Sequence, residues 1–151
     1  MVMDMTYNFR FDKILTVKNR EKEEALDVYN QSVKRFEEAA EALFELLKKK
    51  EDLEGYQNER LLTGLPVQEI RHHQFFINNL EKTIDHYQKM VINTRTHMVY
   101  HQERLVEKNI EVKKYEKIKE KDLYSFIEDM KLTESRLMDD ISIQSYMNRE
   151  R

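Results

Sequence analysis

The chain contains no cysteine and no tryptophan, and among its 151 residues there are only 2 glycines and 1 proline. Soluble domains average about 7% glycine and about 5% proline, so turn-formers are almost missing. Sandwiches, barrels and doubly wound sheets need a turn about every 8–12 residues, built from Gly, Pro, Asn and Asp clusters, and are disfavoured along with the deep pockets they carry. Without cysteine there are no disulfides, thiolate zinc sites or cysteine nucleophiles, which suits a reducing compartment. No apolar run approaches the roughly 18 residues of a membrane span, and Asp4 stands where a signal peptide would carry basic residues. Charge of one sign is lacking too: 26 basic residues face 29 acidic ones, a net -3, so no field draws the protein to nucleic acid or to an anionic membrane. A cytosolic protein is expected.

What the chain does have is 36% charged and 40% hydrophobic residues, too polar for a broad core and too apolar for plain disorder. That combination predicts an all-α fold, long and thin. The only punctuation able to stop a helix is Thr63-Gly64-Leu65-Pro66, where Gly permits a left-handed C-terminal turn and Pro suits the first turn of the next helix. One helix is therefore expected from about Phe9 to Arg60, a turn over 61–66, and a second helix from about 67 to 138, leaving 139–151 as a tail. So short a connection makes the helices antiparallel neighbours, and at 1.5 Å per residue they would run roughly 75 and 110 Å.

Heptad spacing supports two long helices in an antiparallel coiled-coil hairpin. In the first, Leu26, Tyr29, Val33, Phe36, Ala40, Leu43 and Leu47 alternate by three and four, a narrow seam rather than a wide apolar face. In the second, the same spacing runs from Ile70 through Ile77, Leu80, Ile84, Tyr87, Val91, Met98 and Leu105 to Val112 and Tyr115, with His73, Thr94, His101 and Lys108 as its polar members. Facing residue numbers add to nearly one constant, which centres the turn near Leu65. The register sets Lys22 opposite Lys108 and Asn19 opposite Val112, so a loosened segment is expected there. Beyond Tyr115 the apolar series resumes late at Leu123, Ile127 and Met130, a stutter that would unwind the supercoil locally. The tail, with Leu137, Ile141 and Ile143 among charges, is left without a partner and is either frayed or a docking segment.

Candidate chemistry is thin. His97 and His101 lie one turn apart, a spacing that places two imidazoles on one metal, but the nearest carboxylate, Glu103, falls on another face. His72-His73 is a water-facing residue beside a seam residue. Asp139-Asp140 lacks a concave site to tune a carboxylate. The lysines from Lys113 to Lys121 are interleaved by Glu107, Glu111, Glu116 and Glu120 at helical spacing, which neutralises them. The informative anomaly is the hairpin tip: Tyr56, Phe75 and Phe76 gather beside the turn while the seam runs through Leu53 and Ile77, and a two-helix seam cannot bury them all.

The stretch FRFDKILTVK from Phe9 to Lys18 followed by Glu24-Ala25, the segment YQNE from Tyr56 to Glu59, QFFINNLEKTIDHYQ from Gln74 to Gln88, and MDDISI from Met138 to Ile143 together resemble the flagellar FliJ family, particularly its Gram-positive members. The resemblance spans nearly the whole chain in order and spacing. It implies a coiled-coil component of the flagellar type III export apparatus, similar to the central stalk of rotary ATPases, with no enzymatic activity, catalytic residue, metal or cofactor. It implies insertion into the export ATPase hexamer, contact with the cytoplasmic domain of the export gate membrane protein, and escort of flagellar export chaperones, with no nucleic acid and no small-molecule substrate. The protein would sit in the cytoplasm against the inner face of the membrane at the flagellar base. By the same resemblance the gate-facing surface comprises Leu53, Tyr56, Phe76, Leu80, Thr83 and Tyr87. Lys49 and Arg60 stand where more distant members carry a polar amide and an aromatic.

Two other readings use the same residues. The heptads alone suit a generic cytoplasmic adaptor or tether, in which rod length matters and the tip aromatics do not. A metal-dependent helical-bundle enzyme would require the hairpin to dimerise and bring His97 and His101 together with carboxylates.

Overall fold

The computed structural model describes residues 7–149. It is all-α among those residues: α1 spans Asp12–Thr63 and α2 spans Val67–Arg149, packed against each other as an antiparallel hairpin. Three residues connect them. Gly64 has φ 94°, the left-handed conformation that ends α1, and the Pro66 carbonyl accepts the Glu69 and Ile70 N–H groups at 3.0 and 3.2 Å to open α2. Asp12 and Glu69 lie in the first turns, Arg60 and Arg149 in the last, so side-chain charge opposes the backbone dipole at every end. The chain falls into two compact units, Glu24–Val106 and Met1–Glu23 with Glu107–Arg151.

In the unit Glu24–Val106 the α2 half of the seam follows the expected alternation. Ile70, His73, Ile77, Leu80, Ile84, Tyr87, Val91, Thr94, Met98, His101 and Leu105 are all buried or half-buried, and the residues between them are exposed. The α1 half is displaced by one residue at alternate positions. Ala25, Ser32, Ala39 and Leu46 turn inward where Leu26, Val33, Ala40 and Leu47 were expected; Ser32 is 6% and Ala39 4% exposed, while Leu26 and Leu47 face solvent. The cause is volume. Ala25, Ser32 and Ala39 are small side chains at a seven-residue interval, and by the register of the pair they lie opposite the large α2 residues Leu105, Met98 and Val91, which take up the room that a Leu or Val on α1 would occupy. Ser32 costs little there, because its hydroxyl donates to the Tyr29 carbonyl at 2.6 Å. Across the helices Lys50 pairs with Glu81 at 3.4 Å.

The second unit corrects the expectation of a loosened segment. Val112 is 1% exposed and forms a core with Phe9 and Leu15, ringed by Tyr7, Phe11, Tyr115 and Ile118. The N-terminal stretch 7–11 precedes α1 and lies on α2, which is why α1 starts at Asp12 and not at Phe9. Its rings meet edge to face: Phe9 with Phe11 at 5.8 Å, Phe11 with Tyr115 at 6.5 Å, and Tyr7 with Phe126 at 5.4 Å between centroids. The polar seam positions are paired rather than opposed. Lys18 meets Glu111 at 3.2 Å and Glu21 at 3.6 Å, and Lys108 meets Glu21 at 3.3 Å, so Lys108 has an acid where Lys22 was expected to face it.

Past Tyr115 the N-terminal stretch supplies polar partners: the Tyr7 hydroxyl donates to Asp122 Oδ2 at 3.0 Å, and Lys119 pairs with Asp12 at 3.5 Å. Of the residues where the apolar series was expected to resume, Leu123 and Ile127 are exposed and Met130 is half-buried, as is Phe126. α2 runs on through Arg149, past the end expected near 138, and every residue from 131 to 149 is exposed; the last two residues of the tail lie outside the described residues.

Candidate functional site

The tip lies in the unit Glu24–Val106. α1 brings Leu53 and Tyr56 to it, α2 brings Phe76, Leu80, Thr83 and Tyr87. Of these six, Tyr56 and Phe76 are each 44% exposed and Thr83 is exposed; Leu53 and Tyr87 are half-buried; Leu80 is turned into the seam at 7%. The Thr83 hydroxyl is committed to its own helix, donating to the Asn79 carbonyl at 3.2 Å. Tyr56 lies across the helix pair from His73, ring centroids 5.5 Å apart, so the seam histidine serves as the platform for an off-seam aromatic.

Arg60 and Lys49 sit on those same rings. The Arg60 guanidinium lies 5.5 Å from the Tyr56 centroid, and the Lys49 ammonium 5.6 Å from that of Phe76. Each cation is attracted by a ring face and leaves the ring edge open. The tip surface is thus apolar, with one cation over each of these two rings. Phe75, expected at the tip, is 66% exposed, and the surface is wider than the sequence suggested: Phe44, Leu61, Leu62 and Val67 are also exposed, and none occupies a seam position. Leu61, Leu62 and Val67 could have been found from their place beside the turn, where a hairpin has no second layer to cover them.

The other candidates separate. His97 and His101 share one face but no group of three His, Asp or Glu residues placed to hold a metal occurs among the described residues. Asp139 and Asp140 are exposed. Among the described residues no helix is long and apolar enough to cross a membrane. In the second unit, three groups are tuned by their partners. The hydrogen bond to Glu111 holds the Lys18 ammonium above the ordinary lysine range, against the cost of burial. Glu21 is held below the ordinary carboxylate range by its hydrogen bond from Lys108. Burial, then the Asp122 carboxylate, pushes the Tyr7 phenol up. These shifts accompany packing of the helix pair and prepare no group for proton transfer.

The family model described as flagellar FliJ protein matches residues 7–151. A flagellar FliJ protein of Bacillus subtilis (strain 168) is 50% identical over 143 residues, covering 95% of this chain and 97% of that protein. No solved structure matches. A match over almost the full length, at half identity and with the same helical hairpin expected and found, is decisive: the chain belongs to the flagellar FliJ protein family.

Proposed function

We propose that this component of flagellar protein export is a non-enzymatic stalk that joins the export ATPase hexamer to the cytoplasmic domain of the export gate, and that escorts flagellar export chaperones during assembly. Its place is the cytoplasm at the inner face of the membrane beneath the flagellum. The tip meets the gate: Tyr56 and Phe76 are the anchors, Leu53, Thr83 and Tyr87 flank them, and Leu80 supports the surface from the seam beneath.

The observation that carries this reading is the pair of half-open rings with cations over them, left outside a seam that is otherwise closed. Large aromatic side chains beside Arg and Lys are what binding hot spots are made of, and they add nothing to a two-helix core.

The test is the double variant Tyr56→Ala with Phe76→Ala. Removing an anchor ring from an interface costs about 2 kcal/mol or more, roughly thirtyfold in affinity, whereas removing an exposed ring changes stability by about half a kcal/mol. The melt should stay near that of the parent protein while affinity for the isolated cytoplasmic part of the gate falls at least tenfold. Undiminished affinity would leave the tip without that role and favour a plain tether.

A further inference from the structure

The two helices hold a second feature about 30 Å along α1 from the tip, counted at 1.5 Å per residue from Leu53 to Ser32. It is a notch of about 250 Å³ between α1 and α2. Gln31 and Arg35 of α1 and Asn93, His97 and His101 of α2 line it, with Val28 as its apolar member. Ser32 and Thr94 are there too, but their hydroxyls are spent on their own helices: Ser32 donates to the Tyr29 carbonyl, and Thr94 to those of Met90 and Val91. What is left is a guanidinium, two imidazoles and two amides, all capable of donating hydrogen bonds. No carboxylate lines the notch, and Arg35 takes part in no ion pair among the described residues.

That composition is unusual for this chain. It has 29 acidic residues in 151, yet α1 carries none from Val28 to Phe36 and α2 none from His86 to Gln102. In the antiparallel pair these two stretches face each other, as the Lys50–Glu81 and Tyr56–His73 contacts on the same helices fix the register. The result is a band of the coil that carries Lys34, Arg35 and Arg95 and no acid within it; Glu37 and Glu38 follow one turn on, and Glu38 lies beside Arg35 in the adjoining groove, outside the notch. A set of donors without a carboxylate suits an anion and disfavours a metal cation, which the two histidines alone had suggested. Val28, which lines the notch, and Tyr100, one turn from His97 on the same face of α2, are exposed beside it, whereas Ile92 and Val99 lie on the opposite flank. A small free anion would need neither Val28 nor Tyr100; an amphipathic helix would use both.

We propose that the notch receives a carboxylate side chain from an acidic amphipathic helix of a partner protein, with Arg35 as the charged contact, His97 and His101 with the two amides as the surrounding donors, and Val28 and Tyr100 packing on the partner helix's apolar residues. Guanidinium and carboxylate match in shape as well as charge, and a partly enclosed pair is worth more than one on an open surface. The site is separate from the tip surface and does not rest on it.

The probe is a synthetic amphipathic helix with Glu on one face and Leu beside it, titrated into the full-length labelled protein and followed by NMR. Its Glu→Gln counterpart and inorganic phosphate are the comparison ligands. The acidic peptide should shift the Arg35 side-chain and the His97 and His101 ring signals, and the Gln peptide should bind at least tenfold more weakly. Arg35→Gln should weaken the acidic peptide by a similar factor with an unchanged melt, while Lys82→Gln, on the exposed face near the tip, should leave binding as it was. Equal binding of the two peptides, no loss with Arg35→Gln, phosphate saturating the same signals as tightly as the peptide, or no shift at the notch with millimolar peptide would each overturn the proposal.

Discussion

Val112→Ala should be expensive for so small a truncation. Val112 is 1% exposed, in contact with the Phe9 and Leu15 core, and closed over by the aromatic stretch that precedes α1. Val112→Ala removes two buried carbons, about 1.6 kcal/mol of transfer free energy at about 0.8 kcal/mol each. The rings around it are held edge to face and collapse poorly into the void, so a cavity contribution raises the total to about 2–3 kcal/mol. Leu43→Ala, in the unit Glu24–Val106, removes more carbon from a side chain that is only half-buried; it should cost about 1–1.5 kcal/mol. The comparison inverts what heptad reasoning gives, since by register alone Val112 faces Asn19 in a weak segment.

The measurement is urea denaturation followed by far-UV circular dichroism, with amide exchange resolving the two units. Faster exchange confined to residues near 107–126 in Val112→Ala, and to α1 and α2 near Leu43 in the other variant, is expected. A loss below about half a kcal/mol for Val112→Ala, or one no larger than that for Leu43→Ala, would refute the argument that the N-terminal aromatics seal this core.

The glycines should respond with opposite signs. Gly64→Ala meets no atom but must hold φ 94°, costing about 1–2 kcal/mol, whereas Gly55→Ala within α1 also meets nothing and should raise stability by about 0.5–1 kcal/mol; thermal melts of both variants check this. Stability should also depend on pH through the ion pairs of the second unit. Glu21 has a lowered folded value, so its contribution is present above the ordinary carboxylate range and is lost as pH falls through that lowered value. Lys18 has a raised one, so its contribution is present below the ordinary lysine range and is lost as pH rises through the raised value. The urea midpoint should be flat between those limits, and Glu21→Gln should make the acid limb shallower; identical acid limbs in the two proteins would count against the Lys108–Glu21 pairing.

The parts of the fold that were legible and those that were not differ by one physical property, side-chain size. α2 could be read because its seam is made of Ile, Leu, Val, Met and Tyr, whose hydrophobicity marks the buried face without reference to a partner. On α1 the inward-turned positions include Ala25, Ser32 and Ala39, and nothing in their own chemistry distinguishes a small residue facing the other helix from one that merely fills a surface. The larger neighbours Leu26 and Leu47 look like seam residues because they are apolar, although they are left in solvent. The N-terminal stretch was hidden for a different reason. Tyr7, Phe9 and Phe11 alternate by two, so a search for three-and-four spacing passes over them, and the weak segment opposite looked weak only because its cover came from outside the two helices.

At the tip the same logic runs in reverse. Tyr56 and Phe76 were recognisable as surplus to the seam, but the cations above them were not. Lys49 lies seven residues before Tyr56, and Arg60 four residues after it, so spacing on α1 alone could place Arg60 over Tyr56 and never Lys49 over Phe76, which needs the other helix. A charge that stacks on its own helix is a matter of sequence; one that stacks across the pair is a matter of register, and register was read one residue off on the side that carries Lys49. The notch at Arg35 follows from the same cause, for its lining is assembled from both helices, and only the facing of two acid-free stretches gives those separate absences a common meaning.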